Sequence, residues 1–136
     1  MSEENVELAR QAVEAVIEAL MERDRTAFLA VHDQDVEVVP VRDWPVPRLR
    51  GAEAAWEFYL ETFDAFEGFP IGEVEFVDAG GDKALLHYGV ALSERGIGAG
   101  VKAHYWNLAT IRQGKVIRVQ WFADRADALE AAGLSE

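Results

Sequence analysis

The sequence predicts an α+β fold in which N-terminal helices pack on one face of a curved, mixed to antiparallel sheet. Three observations lead there. Apolar residues recur at helical spacing as far as Phe66, the spacing changes to strict alternation after Pro70, and the second half is punctuated by GGD, RGIGAG and QG turn signals. Helices first and a meander second is the grammar of an α+β domain whose sheet has one face on the helices.

Taken in order, Val6, Ala9, Val13, Val16, Ile17 and Leu20 define one side of an amphipathic helix from Glu3 to about Glu22, with Ser2 placed as its N-cap. Asp24 caps a second, short helix carrying Phe28, Leu29 and Val31, which ends near His32 and Asp33. The run Val36 to Val41 reads as the first strand, and RDWPVPRLR (42–50), with two prolines and no period, as an ordered loop. Gly51 opens a third helix with the stripe Ala52, Ala55, Trp56, Tyr59, Phe63 and Phe66, ended by Gly68. Strands follow near Gly72 to Val77, Lys83 to Ser93, Val101 to Arg112 and Lys115 to Ala123. Asp124 caps a closing helix, Arg125 to Ala132, stopped by Gly133.

A chain of 136 residues suits a single domain over 1–136, and its 50% hydrophobic content supplies a real core. The formal charge of −12 repels phosphate backbones and anionic lipid surfaces, so neither nucleic acid nor membrane is an expected partner. The absence of cysteine removes disulfides, thiolate nucleophiles and thiolate metal sites. The acidic opening MSEENVELAR lacks an apolar core of the secretory kind, and a cytoplasmic protein is expected.

The alternation also assigns faces. Ala84, Leu86, Tyr88, Val90 and Leu92 point toward the helices, and Lys83, Leu85, His87, Gly89 and Ser93 away. If Gln113 and Gly114 form a two-residue turn, Arg112 faces Lys115, and an unbroken ladder pairs Leu108 with Val119, Trp106 with Trp121 and His104 with Ala123 on the inner face. Tyr105, Asn107, Ala109, Arg118, Gln120 and Phe122 then share an outer face apolar enough for sheet-to-sheet homodimerisation. A slip of one residue inverts every one of these assignments.

The order of elements, HDQDVEVVP, the helix start GAEAAWEFY and the ending GKVIRVQWFADRADALEAAGL together resemble the SnoaL-like branch of the nuclear transport factor 2-like superfamily, over essentially the whole chain. The resemblance implies a cone-shaped, cystatin-like barrel of sheet around the helices. That scaffold hosts ketosteroid isomerases, polyketide cyclases, dehydratases, epoxide hydrolases and non-enzymatic binding proteins, so it indicates fold and leaves the chemistry open. The family's steroid-isomerase carboxylate before a Pro-Val pair matches Val39, its helix tyrosine matches Val16, and the cyclases' last-strand acid matches Trp121. Three positions at which relatives carry catalytic groups are therefore apolar here.

His104 remains the leading candidate for acid/base or oxyanion chemistry, the work an imidazole is suited to, and the alternative is a histidine bonded to a backbone carbonyl at a strand start. Asp43, at the expected mouth, assists or pairs with Arg42, Arg48 or Arg50, and Tyr88 assists from the inner face. Trp44, Trp56, Tyr59, Trp106 and Trp121, with Val39 and Val16, are the expected lining of a pocket for a flat apolar molecule, or else plain core filling. His87 and His32 do not converge with His104, so no metal site is expected, and no cofactor is implied. The glycines of RGIGAG join two strands and read as a hairpin tip over the mouth, not a phosphate loop. Two readings follow: a small-hydrophobe-binding protein acting as a cofactor-free isomerase, cyclase or dehydratase, and a non-catalytic binding or scaffold domain.

Overall fold

The computed structural model describes residues 2–42, 44, 46–92 and 102–134. Helix α1 (Ser2–Glu22) lays Ala9, Ala12, Ala19 and Leu20 against the rest of the chain, and its small alanines let the helix axis approach the sheet closely. The short helix α2 (Arg25–Ala30) begins as the sequence requires, with the Asp24 carboxylate accepting from the Ala27 N–H at 3.1 Å. Its Phe28 is fully buried and is the largest side chain sealed in the core.

Strand β1 (His32–Val39) starts earlier than the first valine run. The chain leaves α2 through Val31, whose carbonyl already accepts from Val116 N–H at 2.9 Å, so pairing with the last strand begins at once. A two-residue strand β2 (Leu49–Arg50) ends the proline-rich loop, and helix α3 (Ala52–Ala65) follows. Strand β3 (Phe66–Asp78) begins where α3 stops, so Gly68 lies inside a strand and does not terminate the helix. Register irregularities between Phe66 and Glu75 let this longer strand bend against β4 (Lys83–Leu92). Strands β5 (Lys102–Arg112) and β6 (Lys115–Phe122) complete one six-stranded sheet in the order β2-β1-β6-β5-β4-β3. All neighbours are antiparallel except β1 and β6, which run parallel. Helix α3 touches β1 and β2 at one end of the sheet and β3 at the other, so the sheet curls around the helices. It keeps two edges, β2 and β3, and is an open cone rather than a closed barrel.

Helix α4 (Arg125–Ala132) is capped as expected by Asp124, which accepts from Ala126 N–H, and by Gly133 at φ 73°. It does not extend the inner core. Ala128, Leu129 and Ala132 pack with Leu85, Leu108, Trp106 and Phe122 on the outer face of the sheet.

That last contact exposes a correction. The Gln113–Gly114 turn has φ of 53° and 76° and pairs Arg112 with Lys115, as expected. One pair further on, however, Ile111 faces Val116 while Thr110 faces Arg118, so Ile117 is an extra residue in β6. The bulge slides the rest of the ladder by one, giving Ala109 with Val119, Asn107 with Trp121 and Trp106 with Phe122. Strand β6 keeps its assigned faces, whereas β5 turns over. Asn107, Ala109 and Ile111 look inward, and His104, Trp106 and Leu108 look outward. A second parity differs in β1, where Val38 pairs with inward Val119 and Val39 with Gln120 on the opposite face.

Candidate functional site

Between α1 and the sheet lies a cavity of about 80 Å³. Helix α1 supplies its floor through Ala9, Ala12, Val13, Val16 and Ile17, and β6 closes it with Val116, Val119 and Trp121. The polar groups in this wall are His32 from β1, Tyr59 from α3, Tyr88 from β4, Asn107 from β5 and the Trp121 indole. No carboxylate is among the described lining residues.

Strand pairing brings two of these together. Leu86 lies opposite Asn107, two residues from Tyr88 on the same face, and the Tyr88 hydroxyl donates to Asn107 Oδ1 at 2.7 Å. Asn107 Nδ2 donates in turn to the Trp106 carbonyl at 3.2 Å, which fixes the amide orientation. Burial raises the Tyr88 pKa well above the phenol range, reinforced by Tyr59 and Tyr105, against the opposing pull of Asn107. Burial likewise pushes Tyr59 up to about 12. Both phenols are neutral donors and neither is a base at neutral pH.

Trp121 is 4% exposed and sits among Trp44, Phe58, Tyr59, Tyr88 and Tyr105, with ring centroids between 5.8 and 6.4 Å. Its indole Nε1–H has no hydrogen-bond partner among the described residues. The N–H lies close enough to the Tyr59 oxygen to lower that phenol's pKa a little, yet the contact falls short of hydrogen-bond geometry. A buried donor left unmade costs about 1–3 kcal/mol.

His32 is the residue that sequence reasoning set aside. It is 3% exposed, lines the cavity, and stacks on Phe28 with centroids 4.1 Å apart. Its Nδ1 is 2.7 Å from the Phe28 carbonyl. A carbonyl only accepts, so Nδ1 carries the proton and Nε2 the lone pair. Burial lowers its pKa, outweighing the opposing effect of the carbonyl, and the ring is neutral at pH 7. The signal was the spacing: a histidine four residues after a helical phenylalanine falls on one of the carbonyls that the end of α2 leaves without an intrahelical partner.

Of the residues expected in the site, Val16, Tyr59, Tyr88 and Trp121 line the cavity. Trp56 is buried against Phe28 at 5.2 Å, and Trp44 backs Trp121 and Tyr105 from behind, so both support the wall rather than form it. Val39 lies on the opposite face for the reason of parity given above. Asp43 and the RGIGAG segment fall outside the described residues. His104 and Trp106 are corrected outward by the bulge. His104 is exposed, its Nδ1 lies 3.1 Å from His87 Nε2, and His87 Nδ1 donates to Glu75 at 2.7 Å. Trp106 stacks on His87 at 4.7 Å. Among the described residues no group of three or more His, Asp or Glu side chains is placed to hold a metal ion.

The family model of the SnoaL-like domain matches residues 13–119, which spans helix, sheet and cavity together. The chain belongs to the SnoaL-like family. No curated protein matches it. Among solved structures, this SnoaL-like chain is similar to an NTF2-like protein from Burkholderia xenovorans, at 24% identity over 97% of each chain with a TM-score of 0.71. A putative SnoaL-like polyketide cyclase from Mesorhizobium loti matches at 19% identity over 85% of this chain and 95% of that one, with a TM-score of 0.65. A putative isomerase from Bacillus subtilis matches at 14% identity over 96% of each, with a TM-score of 0.69. At these identities the likeness is one of fold. No helix of the described residues is long and apolar enough to cross a membrane.

Proposed function

We propose that this SnoaL-like protein binds a compact, mostly apolar molecule through one hydrogen-bond acceptor, held by the Trp121 indole N–H in the cavity under α1. The carrying observation is that unpartnered, buried donor in a mostly apolar wall whose other polar groups are His32, Tyr59, Tyr88 and Asn107. The cavity volume of about 80 Å³ is small beside the ~300 Å³ or more of an ordinary ligand pocket, which favours a compact ligand. That volume, with His104 on the outer face, supports the binding-domain reading over an isomerase or cyclase working through His104. A sheet-to-sheet homodimer would use outer-face residues that α4, packed on Leu85, Trp106, Leu108 and Phe122, leaves uncovered.

The test is a tryptophan fluorescence titration with cyclopentanone and its hydrocarbon counterpart cyclopentane, on the native chain and on Trp121→Phe. Saturable quenching by the ketone, weakened about 2- to 12-fold in the variant, is the expected result for the loss of one hydrogen bond. Equal affinity of the ketone for both chains overturns the proposal.

A further inference from the structure

The cavity has a second recognition point. Resting on the reading just given, we propose that His32 Nε2 accepts a hydrogen bond from the ligand, so that the site selects compact hydroxy-carbonyl molecules over plain carbonyl compounds. Nδ1 is committed to the Phe28 carbonyl at 2.7 Å, which makes Nε2 the acceptor of the ring. The imidazole is withdrawn from solvent, at 3% exposure, and it shares the cavity wall with Trp121. Its ring is held in place on both sides, stacked on Phe28 at 4.1 Å and met edge-on by Tyr59 at 6.3 Å.

The complementarity is in the polarity of the two groups. Trp121 offers a donor and can do nothing else, and neutral His32 offers an acceptor at Nε2 and nothing else. Tyr88 and Asn107 are already engaged with each other at 2.7 Å. A ligand carrying only a carbonyl would leave His32 Nε2 unmatched, whereas a ligand that also carries a hydroxyl has an O–H to donate to it. One oxygen of each kind satisfies both, and the small volume keeps the two oxygens within a few bonds of each other.

The preference also requires the uncharged imidazole. The groups facing His32 are the phenol of Tyr59 from α3, the phenol of Tyr88 across the cavity from β4, and the uncharged side chains of α1 and β6. None of these lining groups carries a charge at neutral pH that would hold a proton on the ring. Acid therefore converts Nε2 from acceptor to donor and removes the selectivity.

Hydroxyacetone and butan-2-one differ only by exchange of a hydroxyl for a methyl, and their dissociation constants can be compared by ligand-observed NMR. At pH 7.5 the native chain is expected to prefer hydroxyacetone by about 5-fold, the effect of one neutral hydrogen bond. In His32→Phe the preference should vanish or reverse. The imidazole nitrogen resonances of the native chain give a reading free of any variant: Nε2 should shift on adding hydroxyacetone and not on adding butan-2-one. If both compounds bind with the same ratio in native and His32→Phe protein, while still depending on Trp121, only the His32 proposal falls. If neither depends on Trp121, the cavity reading beneath it falls as well.

Discussion

Replacing His32 by phenylalanine should make the protein more resistant to acid. The buried imidazole has its pKa lowered by desolvation, so between the ordinary and the native value the unfolded chain binds a proton that the folded chain refuses. The sign follows: this contribution is intact above pH ~6.5, the ordinary histidine value, and is lost as pH falls below it, completely once the native pKa is passed. The ceiling at pH 5 is the free energy of protonating an ordinary imidazole there, about 2 kcal/mol. At pH 7.5 the substitution is near neutral. The lost bond to the Phe28 carbonyl leaves that oxygen still bonded to Val31 N–H at 3.3 Å, and the larger ring has the adjoining cavity to fill, so the expected change is within ~1 kcal/mol. Urea unfolding of both chains at pH 7.5 and pH 5 measures the double difference, in which carboxylates, His87 and His104 cancel because both chains contain them. The variant should gain relative to native by up to about 2 kcal/mol on acidification. Parallel losses in the two chains would refute a buried, neutral His32.

Phe28 is fully buried between His32, Trp56 and Tyr59, so Phe28→Ala should cost about 3–5 kcal/mol, read as a lowered urea midpoint with unchanged slope. A cost below ~1 kcal/mol would mean that the α2 wedge is not packed as described. His104→Ala should leave ligand affinity within about 2-fold of native, because the ring lies on the outer face beside His87 and the loss of a hydrogen bond to ligand would cost more. Loss of binding in that variant would put the strand back in the unbulged register.

What the sequence disclosed was local. Asp24, Asp124 and Gly133 announce helix ends through chemistry confined to one turn, and each stands where it was expected. The alternation of Lys83 to Leu92 assigned β4 correctly because one face is wholly aliphatic and aromatic while the other mixes Leu85 with Lys83, His87 and Gly89. Strand β5 carries large apolar or aromatic residues on both faces, Tyr105 and Ile111 on one and Trp106 and Leu108 on the other, so its parity had to be borrowed from β6. That borrowing failed at Ile117, since an isoleucine in a bulge is indistinguishable in sequence from an isoleucine in a ladder. The adjacent Val38 and Val39 hide parity in the same way. Cavity size was not legible at all, for it depends on how closely Ala9 and Ala12 let α1 approach the sheet. His32 was set aside because it falls at a helix end and does not converge with His104; its four-residue spacing from Phe28 was the signal that it bonds back to the helix.

The central claim is that the Trp121 N–H is a donor kept for a ligand. With four tryptophans in the chain, the indole region of a ¹H–¹⁵N spectrum is simple, and Trp121→Phe assigns the relevant peak by its disappearance. On titration with hydroxyacetone the account predicts a saturable downfield shift of that proton, larger than any shift of the other indoles, with the same midpoint as binding. A Trp121 indole that stays in place while the ligand binds would contradict it.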